Sequence, residues 1–138
     1  MKYVRDGKPV TDPEILLKEL KERISFYTEN QGLGVWPAFI KKGSEFIGWF
    51  GLKYLDDTPE IEVGFRLLHK FWGHGYATEM TQALINYGFD HLKVDRIVAV
   101  THPDNNASQR VLEKSGMVWE KHAFHYGIKV DYYSKSKG

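Results

Sequence analysis

Apolar positions recur along this chain with two periods, and the changes of period divide it into elements. Leu16, Leu20, Ile24 and Tyr27 are spaced by four, four and three, the inward stripe of an amphipathic helix running to about Glu29. Its start reads Thr11-Asp12-Pro13-Glu14, a capping box with a hydroxyl at the cap, an early proline and a Glu three residues on. After a turn at Gly32-Leu33-Gly34, two short segments rich in β-branched and aromatic residues follow, Val35 to Lys41 and Glu45 to Leu52. Lys42-Gly43-Ser44 separates them, which predicts a hairpin. Asp56-Asp57-Thr58-Pro59 is a second turn. Beyond it Ile61, Val63, Phe65 and Leu67 alternate with Glu60, Glu62, Gly64 and Arg66. Period two over this length predicts a strand whose polar face looks at solvent or at a site.

The helical period returns near Gly75, with Ala77, Met80, Thr81, Leu84 and Gly88 on one face. Asp95 to Thr101 is a near-continuous apolar run, the mark of a buried strand with parallel neighbours. Strand, helix and strand in that order form a βαβ unit. Asn105 or Asn106 caps a further helix that ends at Gly116. Met117 to Phe124 and Lys129 to Ser134 read as a closing antiparallel pair, and the basic tail from Ser134 to Gly138 as frayed. The fold class is therefore α/β with a mixed sheet: a meander, one crossover, then a hairpin.

The 138 residues fit a single domain over 1–138, long enough for a core without staples. Nineteen Lys and Arg against eighteen Asp and Glu leave a net charge of +1, which gives no support to nucleic-acid binding through bulk charge. The absence of cysteine excludes disulfides, thiolate metal sites and a cysteine nucleophile, and fits a cytoplasmic protein. No apolar stretch is long enough to span a membrane, and Met1 to Asp12 lacks the apolar region of a signal peptide. The aromatic share, 14%, is assigned mainly to the core.

The informative segment is Phe71-Trp72-Gly73-His74-Gly75-Tyr76-Ala77-Thr78-Glu79, which joins the alternating strand to the long helix. A helix start leaves backbone N–H groups unpaired and carries partial positive charge. Glycine and alanine there let an anion, best a phosphate, approach the backbone. Such a turn alone is more often a plain strand-to-helix connection. The Walker loop is excluded because no Gly-Lys-Ser/Thr opens the helix, and the dinucleotide fingerprint because its third small position is Thr78.

Trp72-Gly73-His74-Gly75-Tyr76-Ala77 resembles the pyrophosphate loop of the GNAT superfamily of N-acetyltransferases, Gln/Arg-x-x-Gly-x-Gly/Ala. Gly75 and Ala77 match the small positions, and Trp72 replaces Gln/Arg, as is common in the branch of the ribosomal-protein-alanine N-acetyltransferases. Asn105-Asn106-Ala107-Ser108 through Val111-Leu112-Glu113-Lys114-Ser115-Gly116-Met117 is similar to that branch's Asn-x-x-Ser-x-x-Val-Leu-Glu-Lys-x-Gly-Phe. The resemblance covers about Tyr3 to Ser134. It implies a mostly antiparallel sheet with splayed central strands, acetyl-CoA as donor without a metal, and an amine acceptor attacking the thioester directly. Backbone N–H groups from Gly73 to Ala77, with Trp72, His74 and Thr78 in the same loop, would hold the pyrophosphate. The pantetheine would pair with backbone around Phe65, Arg66 and Leu67, and Asn105 and Ser108 would face it.

Two side chains are the expected catalytic pair. Glu62, on the polar face of its strand, would take the amine proton; its bland reading is a solvent-facing or salt-bridged residue. Ser108, at a helix start, would donate to the departing thiolate; its bland reading is a hydroxyl bonded to backbone. Relatives often place a tyrosine one turn later, where this chain has Leu112. The oxyanion donor is expected from a backbone N–H near Leu67. His102 is read as structural rather than acceptor-lining. His122, His125 and Tyr126 fall in the closing hairpin, where relatives recognise the acceptor, and they offer no third metal ligand at compatible spacing. Relatives usually carry a strand and a fuller helix before the segment matching Met1 to Arg5, so the chain reads as N-terminally shortened. The sheet edge this would leave favours a homodimer. A non-catalytic acyl-CoA-binding module, or a decayed enzyme, is the competing reading.

Overall fold

A computed structural model describes residues 12–18, 21, 33–40, 43 and 45–137. Residues 13–18 are helical (α1). The Asp12 carboxylate makes the cap, its Oδ1 accepting from the Glu14 N–H at 3.0 Å. Thr11, the expected cap, and the stripe residues Leu20, Ile24 and Tyr27 lie outside the described residues. The other elements are β1 (Gly34–Phe39), β2 (Phe46–Tyr54), β3 (Ile61–Leu67), α2 (Tyr76–Asp90), β4 (Arg96–Thr101), α3 (Asn106–Lys114), β5 (Val118–His125) and β6 (Ile128–Ser136). They follow the predicted order, with boundaries shifted by at most two residues.

The six strands form one sheet in the order β1-β2-β3-β4-β6-β5. β3 and β4, joined through α2, are the parallel pair; the remaining neighbours are antiparallel. β6 runs further than the sequence suggests. Ser134 and Ser136 pair with Val98 and Arg96, and the Lys137 N–H donates to the Asp95 carbonyl at 2.9 Å. Residues 134–137 are thus held on the sheet and not frayed, because β4 needs partners on that side.

Each sheet face has its own core. On one, Leu52, Val63, Ile97, Ala99 and Tyr133 pack with Leu84, Ile85 and Phe89 of α2 and Leu112 of α3. Gly88 lets α2 approach closely, since a Cβ there would lie 2.7 Å from Ile97 Cδ1. On the other, Leu16 of α1 is fully buried with Ile47, Trp49, Val98, Val100 and Tyr132. β3 is therefore covered on both faces, and its polar face, expected to meet solvent or a site, is buried at Glu62, Gly64 and Arg66. The end of α3 closes in a Schellman motif, with the Met117 N–H on the Leu112 carbonyl at 3.0 Å and the Gly116 N–H on that of Glu113 at 3.0 Å. Gly116 supplies the left-handed residue at φ 87°.

Candidate active site

β3 and β4 pair only at Ile61 with Ile97 and at Glu62 with Val98. Beyond that point they part, because β3 stays on β2 along its full length while β4 stays on β6. The Leu68 N–H bonds the Ile47 carbonyl at 2.9 Å and the Leu55 N–H that of Glu60 at 2.8 Å, which fixes the alternation of the β2–β3 ladder. On that alternation Val63, Phe65 and Leu67 turn their backbone N–H and C=O toward the split. Arg66 turns its own toward Trp49 on β2, so it drops out of the expected backbone contacts. The Trp72 indole N–H occupies the Leu67 carbonyl at 3.1 Å, tying the loop to the end of β3.

A cleft of about 160 Å³ lies between the end of β3, the loop into α2 and α3. It is lined by Phe65, Arg66, Leu67, Trp72, Gly73, Gly75, Tyr76, Ala77, Thr78, Asn105 and Ser108, eleven of the twelve residues expected to bind the donor. The twelfth, His74, is exposed and stacks on Tyr76 at 5.6 Å. Phe71, Ala107, Arg110, Val111 and Lys114 also line it. The last four recur on α3 at spacings of three, one and three, a signal available in the sequence. Nothing local said that this face meets the cleft.

Gly75 begins α2 in the left-handed conformation, φ 83°, and no side chain caps it. The first intrahelical bond runs from the Glu79 N–H to the Gly75 carbonyl at 3.0 Å, leaving the N–H groups of Tyr76, Ala77 and Thr78 without acceptors inside the helix. A Cβ on Gly73 or Gly75 would meet nothing within 4 Å, so open space surrounds the loop backbone. Asn105 is the cap of α3, its Oδ1 accepting from the Ser108 N–H at 3.1 Å. That bond uses one Asn105 oxygen for structure while the residue still lines the cleft. The Ser108 hydroxyl is buried and has no hydrogen-bond partner among the described residues.

Glu62 lies elsewhere. It is fully buried and does not line the cleft. Its Oε1 receives the Lys53 ammonium at 2.6 Å and the Tyr126 hydroxyl at 2.6 Å, while Oε2 has no partner among the described residues. The expected base is thus the centre of a buried ion pair at the closed end of the split. The partner that decides this, Tyr126, is 64 residues away in sequence. Tyr126 and Gly127 form the two-residue turn of the closing hairpin at φ 56° and 79°. The tip folds back on Asp56, whose carboxylate accepts from the Tyr126 N–H at 2.9 Å and lies 3.5 Å from His125 Nδ1. Burial, with the neighbouring Glu62 charge and hydrogen bond, holds the Tyr126 hydroxyl well above the ordinary tyrosine range. Above a pH of about 10 the unfolded chain sheds this proton and the folded one keeps it, so stability falls as pH rises. Urea midpoints between pH 9 and 11 should decline above pH 10, less steeply in Tyr126→Phe.

The histidines do not converge. His102 Nδ1 accepts from the Asp104 N–H at 3.1 Å, a local turn contact. His122 Nδ1 sits 2.8 Å from Asp131, and His125 faces Asp56. Among the described residues no group of three potential metal ligands occurs, and no helix is long and apolar enough to cross a membrane.

The split parallel pair, the helix start open to an anion and the buried hydroxyl are features of an α/β protein with a splayed sheet. The family model "Acetyltransferase (GNAT) domain" matches residues 1–118. YkkB of Bacillus subtilis is 31% identical over 128 residues, covering 83% of this chain and 74% of that protein. The FsC-acetyl coenzyme A-N(2)-transacetylase of Aspergillus fumigatus is 31% identical over 125 residues, 85% of this chain and 52% of that one, so the chain spans about half of its length. The ribosomal-protein-S5-alanine acetyltransferase of Vibrio fischeri shares the fold with a TM-score of 0.71 at 21% identity, over 94% of this chain and 77% of that one. The chain belongs to the GNAT family of acetyltransferases, whose members acetylate amines with acetyl-CoA.

Proposed function

We propose that this chain transfers an acetyl group from acetyl-CoA to the amine of a peptide N-terminus or a small molecule. The observation that carries this reading is the uncapped start of α2 opening on the same cleft as the buried Ser108 hydroxyl, which has no partner among the described residues. The residues fit the donor. N–H groups from Gly73 to Thr78 suit the pyrophosphate. The charged residues of the lining, Arg66, Arg110 and Lys114, are all cationic, which suits a polyanion.

Bound acetyl-CoA supplies a thioester: an N–C bond forms, the C–S bond breaks, the amine sheds a proton and the sulfur gains one. Backbone groups of Phe65 and Leu67 align the pantetheine amides as a strand edge aligns a peptide. The Leu67 N–H donates to the carbonyl oxygen as negative charge grows on it. Ser108 Oγ–H donates to the leaving sulfur at the positive end of α3. Glu62 fixes the closed end of the split, and water carries the amine proton away.

Calorimetric titration with acetyl-CoA and with coenzyme A tests the donor, and micromolar binding corresponds to about −8 kcal/mol. Thiol release over a panel of primary amines and an alanine-terminated peptide tests turnover. Ser108→Ala should lower kcat roughly 10²-fold or more with donor affinity kept, the usual weight of one positioned proton donor. An unchanged rate removes Ser108 from the chemistry. Binding with no thiol release over the whole panel favours the non-catalytic module.

A further inference from the structure

Among the described residues the sheet ends in two edges, β1 and β5. On β1, Pro37 lies opposite Trp49, whose backbone turns to Arg66 on β3. The Pro37 nitrogen therefore faces outward, where it has no N–H to offer. β5 holds no proline, and Val118 to His122 are all exposed. Val118, Trp119 and Phe124 leave large apolar side chains in solvent along it. By alternation from the two-residue turn, Phe124, His122 and, past a bulge, Trp119 turn N–H and C=O groups away from β6. An open edge of this kind is a template for another strand.

The edge is not regular. Trp119 pairs with Tyr133 and Lys121 with Tyr132, which leaves Glu120 as an extra residue. The bulge puts two successive side chains of opposite charge on one face. There the Glu120 carboxylate meets Arg96 at 2.6 Å, Lys121 lies over the Tyr132 ring at 4.9 Å, and Arg96 also donates to the Tyr132 hydroxyl at 3.2 Å. On the opposite face, beside α3, the rings of Trp119 and His122 stand 5.4 Å apart. Asp131 fixes both: its Oδ1 accepts from the Trp119 indole N–H at 3.2 Å and lies 2.8 Å from His122 Nδ1. Rigid, exposed aromatic rings of this sort suit an interface.

We propose that β5 is a self-association edge, on which two copies of this chain pair antiparallel about a two-fold axis between Glu120 and Lys121. A regular strand laid on β5 falls out of step at Glu120 and meets charges of both signs. The strand's own copy does neither. About that axis bulge faces bulge, and Glu120 of each chain faces Lys121 of the other, so the charges complement at two places. Trp119 falls opposite His122 of the second copy on the α3 face, and Val118 opposite Ala123 on the other. Trp119 and His122 are also the residues whose backbone groups point outward, so this register lets them bond to one another across the axis. The contact is isologous and closes at two chains, with the proline-bearing β1 edges outermost. It is separate from the donor cleft and does not rest on the acetyl-transfer reading.

Sedimentation velocity over a dilution series tests it. The natural chain should be dimeric at about 100 μM and dissociate on dilution, as a micromolar contact does. Glu120→Lys and Lys121→Glu each set like charges together at two places, and each alone should weaken the dimer roughly tenfold or more. An equimolar mixture of those two variants should dimerise again, because the lysine pair of one chain then faces the glutamate pair of the other. The double variant Glu120→Lys/Lys121→Glu should dimerise within about threefold of the natural chain. Circular dichroism confirms that each variant is folded. A natural chain that stays monomeric at about 100 μM overturns the proposal. A dimer that both single variants leave intact also overturns it and puts the contact on another surface. Single variants that stay monomeric when mixed, with a monomeric double variant, overturn the register and the proposal with it.

Discussion

Glu62→Ala should lower the unfolding free energy by about 3–5 kcal/mol, the usual result of removing one partner of a buried ion pair. Lys53 is 3% exposed and Glu62 0%, so the variant leaves an ammonium out of water with the Tyr126 hydroxyl as its remaining hydrogen-bond partner among the described residues. The hairpin tip loses an anchor as well, because Tyr126 donates to the same carboxylate oxygen. Urea unfolding of the variant against the natural chain measures the loss, and a change below about 1 kcal/mol, the size typical of exposed pairs, would refute the buried-pair account. Lys53→Met/Glu62→Leu should recover most of the stability, since an apolar pair of similar volume can replace a buried ion pair at little cost.

Glu62→Gln separates folding from chemistry. The amide keeps an oxygen for Lys53 and Tyr126, so the fold is retained, but it cannot take up a proton. A general base at Glu62 requires a rate loss of roughly 10²–10⁴-fold with coenzyme A affinity kept. The geometry, with Glu62 outside the cleft and its Oε1 engaged, leads to the opposite expectation of a rate within a few-fold of the natural chain.

The second large effect is expected at the start of α2. Gly75→Val places a β-branched residue at φ 83°, a conformation that costs a non-glycine residue about 1–3 kcal/mol. Its side chain also enters the open space above the Tyr76 to Thr78 N–H groups. Losing one such bond to a charged phosphate, worth about 1.5–3 kcal/mol, weakens acetyl-CoA binding by roughly 10- to 100-fold. Gly43→Ala is the matched control. Gly43 has φ 85° and open space around it, but it lies in the β1–β2 loop. It should lose stability through the same backbone strain with no change in acetyl-CoA affinity. If Gly75→Val binds acetyl-CoA as tightly as the natural chain, the donor phosphates are not held at this helix start.

The sequence by itself determined the order of elements, the crossover between β3 and β4, and the glycine loop at Gly73 to Ala77 that opens α2. These are local features: hydrophobic period, capping residues and glycines close to one another in the chain. The motif at Asn105 to Ser108 was legible for the same reason, and one end of it, the Asn105 cap, works within three residues. Tertiary structure alone decided the rest. The split opens because β4 keeps six partners on β6 and two on β3, a competition between strands far apart in sequence. Arg110 and Lys114 join the site only because α3 docks on α2 with that face toward the cleft. Glu62 alternates with apolar neighbours as an exposed strand residue would. It is buried because α1 and the returning hairpin cover its face of the sheet, and a lysine and a tyrosine brought there by the fold compensate its charge. A carboxylate's role depends on what surrounds it in space, and its surroundings here come from β2 and from a turn 64 residues away.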